Sequence, residues 1–188
     1  NMGSLQLIYG CMFSGKTTKL IDIYNLLKIN YKCLAINYIF DKRYTNDEKI
    51  VSHDNLSINC ICIKDLEELI NNLDNLKKIN EAEYIFINEA QFFKGLKSWV
   101  LYVKNTLKKN IILCGLDLDF KREKFGEMMD LYPYASELYN MKGICDNCKL
   151  NESLFTHRLI ENDNQVLIGS SEYIPVCENC WNILNKKS

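Results

Sequence analysis

An α/β fold, with a mainly parallel sheet and helices on both faces, is what this 188-residue sequence predicts. Three observations carry that expectation. Short apolar runs alternate with segments whose apolar residues recur at helical spacing, the pattern of strands joined by right-handed crossovers. The first such run leads straight into a glycine loop that opens a helix. Near the C-terminus, Cys145-x-x-Cys148 and Cys177-x-x-Cys180 mark a small appendage of different character.

Leu5, Leu7, Ile8 and Tyr9 read as a short buried strand, and Leu20, Ile21, Tyr24 and Leu27 follow at helical spacing. Residues 32–37 (Cys33, Leu34, Ala35, Ile36) form a second expected strand. The polar stretch 41–49 is expected as a surface loop and 52–55 as a turn. Ile58 to Ile63 is apolar enough for a third strand. Residues 65–78 place Leu66, Leu69, Ile70, Leu73 and Leu76 on one helical face, with Asp65 as N-cap. Residues 84–87 form a continuous apolar run, which marks a strand covered on both faces. A helix over 96–108 and a strand over 111–114 complete the pattern.

Composition is that of a globular protein, with 47% hydrophobic and 25% charged residues. The net charge of −1 gives no sequence-independent grip on nucleic acid. No apolar run reaches the ~18 residues of a membrane span. The first residues lack the basic and apolar regions of a signal peptide, and Leu7 breaks the myristoylation pattern. Nine cysteines, an odd number, point to a reducing compartment, so a cytoplasmic protein without nucleic-acid or membrane partners is expected. Cys11, Cys33, Cys60, Cys62 and Cys114 sit in or beside apolar runs and read as small buried hydrophobes.

Gly10-Cys11-Met12-Phe13-Ser14-Gly15-Lys16-Thr17-Thr18 contains the phosphate-loop pattern G-x-x-x-x-G-K-[ST], flanked by a strand and a helix as that pattern requires. Unpaired N–H groups and the positive end of the helix dipole would face one bound anion. Lys16 can reach the β- and γ-phosphates, and the Thr17 hydroxyl suits Mg²⁺. A nucleoside triphosphate, and a P-loop NTPase-like sheet, follow. Ligands in such sheets sit beyond the carboxyl ends of the strands. The loops beginning at Gly10, Asn88 and Gly115 should therefore converge. Glu89 is placed to orient an acceptor hydroxyl and collect its proton late in phosphoryl transfer. Asn88 stands where a magnesium-holding Asp is usual, and as a neutral group it would hold the ion weakly or through water.

Two C-x-x-C knuckles separated by residues 149–176 match a structural Cys₄ zinc site, with a disulfide as the minor alternative. The metal would staple the ends of a loop with little core of its own. That loop carries small, apolar and hydroxyl groups, which suit a lid over a flat base. The expected division is a nucleotide-binding unit over 1–140 and a zinc-binding unit with a lasso loop over 141–188. Phe92, Phe93, Phe120 and Phe125 cluster near the carboxyl-end loops, as core or as walls around a nucleobase. His53 reads as part of a solvated loop. Arg43 is a candidate for steadying phosphate charge.

Taken together these residues resemble the thymidine kinases of the zinc-containing, cellular and poxviral type. The likeness runs in order through Gly10–Thr18, 41–44, 52–54, 87–93, Leu116-Asp117, Phe120, 125–126, the cysteine pairs, 155–158, 168–169 and Tyr173. It implies transfer of the ATP γ-phosphate to the thymidine 5′-hydroxyl, with Glu89 as general base and Asn88 and Gln91 beside the phosphates. It implies a nucleoside pocket of Met12, Phe92, Leu116, Phe120, Phe125 and Thr156. Leu167, Ile168 and Gly169 would supply lasso contacts to the base, and Tyr173 would hold the sugar end. It further implies Mg²⁺ with ATP, structural Zn²⁺, a homotetramer and feedback inhibition by dTTP. Three departures stand out: Asn88 for Asp, Cys11 for Pro, and Gln165 where an apolar residue is usual. Two other readings are a zinc-lid nucleotide kinase and a P-loop ATPase with a nucleic-acid-binding zinc ribbon. The first wants an arginine-rich lid and the second a basic stripe, and the sequence has neither.

Overall fold

A computed structural model describes residues 2–40 and 48–186. Arg43, with most of the polar segment expected as a loop, lies outside the described residues.

The strands in chain order are β1 (Leu5–Gly10), β2 (Cys33–Tyr38), β3 (Lys49–Val51), β4 (Ser57–Asn59), β5 (Ile61–Ile63), β6 (Tyr84–Asn88), β7 (Asn110–Gly115), β8 (Glu137–Met141), β9 (Phe155–Arg158) and β10 (Tyr173–Val176). The helices are α1 (Lys16–Leu27), α2 (Glu68–Asn71), α3 (Leu73–Glu81), α4 (Leu96–Asn105) and α5 (Glu178–Leu184). Six strands form the central sheet in the order β5-β2-β6-β7-β1-β8. Every pairing in it is parallel.

Strand alternation builds two core layers, because successive side chains point to opposite faces. Leu5 and Leu7 of β1, Ile85 and Ile87 of β6, and Ile111 and Leu113 of β7 pack with Leu69, Ile79, Leu96, Val100 and Val103. Ile8, Phe86, Ile112 and Cys114 face the other way and meet Leu20 and Ile21 of α1. Helices therefore cover both faces, as the composition of the strands requires. Because β6, β7 and β1 are neighbours and parallel, the loops after Asn88, Gly115 and Gly10 leave the same edge of the sheet side by side.

The expected third strand is two strands. Residues Ser57–Asn59 pair antiparallel with β3, and Ile61–Ile63 pair parallel with β2. Cys60 is the break, its N–H donating to the Glu48 carbonyl at 2.9 Å. The turn at 52–55 joins β3 to β4, with the Asn55 N–H on the Ser52 carbonyl. The expected helix over 65–78 is also divided. Asn72 adopts φ −103°, ψ 120°, and its side chain accepts the Asn75 N–H at 3.1 Å, so Asn72 caps α3. Asp65 is not a side-chain cap; its N–H donates to the Glu68 carboxylate. Asn favours a cap over a helix interior because its side chain competes for backbone N–H groups. The helix expected to reach 108 ends at Asn105.

Of the five cysteines expected to be buried, Cys11, Cys60, Cys62 and Cys114 are; Cys33 is half-buried. Burial pushes the Cys114 thiol up to about 12, so it stays protonated. Among the described residues no helix is long and apolar enough to cross a membrane.

Replacing Asn72→Ala is expected to destabilise the protein by about 1 kcal/mol, the usual worth of an N-cap. Urea unfolding at equilibrium would measure it, and no change would place the start of α3 elsewhere.

Candidate active site

The phosphate loop takes its shape from three backbone positions no ordinary residue favours. Gly10 has φ 152°, Phe13 φ 60° and Gly15 φ 86°. A Cβ on Gly10 would lie 2.3 Å from the Met141 carbonyl oxygen, so only glycine lets β1 pass into the loop beside β8. Gly15 precedes α1, whose first N–H groups have no intrahelical partners. The buried Lys16 ammonium folds into the loop and donates to the Cys11 carbonyl at 2.6 Å. The Ser14 hydroxyl donates to the same carbonyl at 2.7 Å.

Glu89 follows β6 in the left-handed region, at φ 56°, ψ 39°. For a residue with a Cβ that backbone costs on the order of 1–2 kcal/mol. The Gln91 side chain fixes the result. Its Nε2 donates to the Glu89 carboxylate at 3.1 Å, while its Oε1 accepts the Leu116 N–H at 3.1 Å. Gln91 is thus buried behind Glu89 and does not border the cavity described next, although it was expected beside the phosphates. Gly126 permits this arrangement, because a Cβ there would lie 2.2 Å from the Gln91 carbonyl oxygen.

Lys16, Thr17, Thr18 and Glu89 border one cavity of about 310 Å³ with Met12, Phe13, Ser14 and Gly15. Its apolar walls are Phe92, Leu116, Leu118, Phe120 and Phe125, and the lasso closes it with Thr156, Gln165, Val166, Leu167, Ile168, Gly169, Ser170 and Tyr173. Each sequence-expected nucleoside residue therefore faces the space that the phosphate loop and Glu89 face, although Ile168 is also largely exposed. Phe92 and Phe125 meet edge to face at 5.3 Å between centroids. Phe93 belongs to the core instead. Gly10, Cys11 and Asn88 do not border the cavity. Asn88 donates from Nδ2 to the Asn37 side chain at 3.1 Å, and among the described residues its buried Oδ1 has no partner.

Residues not assigned to the site from sequence also border the cavity, His53 and Phe40 among them. His53, expected in a solvated loop, is exposed but packs on the Phe13 ring at 5.2 Å and borders the cavity. Phe40 also lines it, meeting Phe92 edge to face at 4.8 Å between centroids. The signal for Phe40 was its position just past the carboxyl end of β2, where ligand-facing residues collect.

Cys145, Cys148, Cys177 and Cys180 bring their sulfurs within 4.8 Å of one another. A tetrahedral zinc site with Zn–S of about 2.3 Å has sulfur–sulfur edges of about 3.8 Å, and Cys148 and Cys177 are 4.0 Å apart. Burial raises the Cys145 thiol, but N–H groups of Cys148, Cys177 and Asn147 outweigh it and bring the group down to about 6. Backbone donors that favour thiolate suit a dication, so the quartet could hold a metal such as zinc. The cluster packs with Phe155 of β9, Ile174 and Val176 of β10 and Trp181 of α5. The Met12 N–H donates to the Thr156 hydroxyl at 3.0 Å, and Ser153 contacts Cys11 at 3.5 Å.

Residues 3–181 match the family model described as thymidine kinase. The chain is 34% identical to the thymidine kinase of rabbit fibroma virus, over 95% of this chain and 96% of that one. It is 36% identical to thymidine kinase 1 of Dictyostelium discoideum, over 96% of this chain and 78% of that one. It is also 36% identical to the thymidine kinase of Bacteroides fragilis strain YCH46, over 95% and 87%. With a phosphate loop, a carboxylate and a lid flanked by a four-cysteine cluster around one cavity, and these relatives along its length, the chain belongs to the thymidine kinase family.

Proposed function

We propose that this chain transfers the γ-phosphate of ATP to the 5′-hydroxyl of thymidine, giving thymidine monophosphate for nucleotide salvage and DNA synthesis. The observation that carries the reading is that Glu89 borders the same cavity as Lys16 and Thr17. The triphosphate lies along Gly10–Thr18, with loop N–H groups and Lys16 balancing its charge. Lys16 then exchanges the Cys11 carbonyl for phosphate oxygens. Phe92, Phe120 and Phe125 enclose the base, with Met12, Leu116, Thr156 and the lasso residues Gln165, Leu167, Ile168 and Gly169 around it. Tyr173 steadies the sugar end. Glu89 accepts a hydrogen bond from the 5′-hydroxyl, aligns its oxygen with the γ-phosphorus, and takes the proton as the new P–O bond forms. The bond to the bridging oxygen of ADP breaks in the same displacement.

Mg²⁺ bound with ATP supplies charge neutralisation between the phosphates. Thr17 borders the cavity, and the Oδ1 of Asn88, without a partner among the described residues, is an acceptor suited to an ion's water shell. A nucleoside acceptor is favoured over a nucleotide by the lid's charges. Within 149–176 the sequence has two Lys or Arg residues. Lys149 pairs with Asp146, and Arg158 is spent on lasso carbonyls, which leaves no lid cation for an acceptor phosphate. The same reading extends to structural Zn²⁺, a homotetramer, inhibition by dTTP, a cytoplasmic location and a division of the chain near 140.

Glu89→Gln is expected to keep ATP and thymidine binding while lowering turnover about 100-fold or more, as loss of a general base does; near-normal turnover removes Glu89 from that role. Asn88→Asp should raise activity when Mg²⁺ is limiting, and an unchanged magnesium titration would count against Asn88 near the ion. Metal analysis should return about one zinc per chain. Cys177→Ser should lose the zinc and thymidine affinity together, whereas loss of metal with affinity intact would separate the lid from the cluster.

A further inference from the structure

We propose that Arg158 is a positioning residue for the nucleoside: it sets the shape of the lasso and backs the aromatic wall the base rests on. The proposal rests on the nucleoside reading above.

Arg158 ends β9 and is 6% exposed. Its guanidinium is a hub. Nη1 donates to the main-chain carbonyls of Asn162 and Asn164. Nη2 donates to the Gln165 carbonyl at 3.1 Å and to the Tyr173 hydroxyl at 2.9 Å. That hydroxyl donates onward to the Leu167 carbonyl at 2.9 Å. One side chain thereby fixes three carbonyls directly, and a fourth through Tyr173, in a segment that has no regular secondary structure of its own. The flat face of the same group lies 3.6 Å from the centroid of Phe120, a wall of the cavity. Phe120 is held from a second side, where the Trp181 indole N–H donates to its carbonyl at 3.2 Å.

The chemistry favours arginine specifically. Among the described residues no carboxylate pairs with Arg158, so its buried charge is met by carbonyl dipoles and an aromatic face. A planar fork can serve several carbonyls in different directions while stacking on a ring. A lysine ammonium has three donors at one point and no face to stack. Arg158→Lys keeps the charge and removes the geometry.

The test compares wild type and Arg158→Lys for thymidine KM, ATP KM, kcat, zinc content and amide exchange over 159–172. The expected result is a thymidine KM raised about tenfold or more, ATP KM within about twofold, zinc retained, and faster exchange confined to 159–172. An unchanged thymidine KM with unchanged exchange overturns the proposal. So does a parallel rise in both KM values, or a loss of zinc, since either marks a role in general stability. If wild type itself does not phosphorylate thymidine, the functional reading fails, while the exchange pattern still decides whether Arg158 shapes the lasso. Should Arg158→Lys not fold, Tyr173→Phe cuts the relay to Leu167 without touching the charge. Faster exchange around 167 with a raised thymidine KM then supports the proposal, and wild-type exchange overturns it.

Discussion

Among the hydrogen bonds that join the two halves of the site, one enters the phosphate loop itself: the N–H of Met12 donates to the hydroxyl of Thr156, 144 residues later. A neutral bond of this kind is worth only about 1 kcal/mol net. It cannot hold a lid by itself, so what matters is what brings Thr156 there. Thr156 lies on β9, paired with β10, and the hydrophobic contacts of this hairpin centre on Cys145, Val176, Cys177 and Cys180. Structural zinc contributes on the order of 10 kcal/mol in small peptides. A metal held by this quartet would make a small hairpin rigid enough to dock on a loop. The dock is repeated nearby: Ser153 contacts Cys11, and Arg122 stacks on Phe155 while pairing with Glu178.

Much of this was legible from residues alone, and the reason is physical. Strands covered on both faces must be continuously apolar, so β1, β6 and β7 announce themselves. The glycine loop needs backbone freedom and a cation at fixed offsets, and metal ligands come at short spacings. What escaped were elements held by main-chain pairing rather than by burial. The edge strand β8 has largely exposed side chains and pairs with β1 through backbone bonds. The break at Cys60 and the cap at Asn72 cost one residue each in a long apolar pattern, and periodicity averages over such single-residue events. Gln91 shows the other limit: a side chain near a site in sequence can serve it from behind.

The strain at Glu89 fits this economy. Left-handed backbone at a residue with a Cβ persists only where its surroundings over-determine it. Here β6 pins one side, and the Gln91 amide ties the carboxylate to the start of the loop after β7. Gly126 supplies the space behind Gln91. The result is a carboxylate turned toward the cavity from the end of a rigid strand, with its direction set by the main chain rather than by a rotamer in solvent.

The lid works by the opposite means. Lasso residues between β9 and β10 form no ladder, so their carbonyls need donors from elsewhere. A charged fork meets that need with bonds stronger than neutral ones. Using the lid's arginine internally also leaves the covering surface neutral. A nucleoside enters without bringing charge and finds hydroxyls, apolar side chains and an aromatic floor. A nucleotide acceptor would find no cation on this lid to meet its phosphate. On the proposed reading Arg158 bears on the choice between the two acceptors while touching neither, because its charge is committed to the lasso carbonyls.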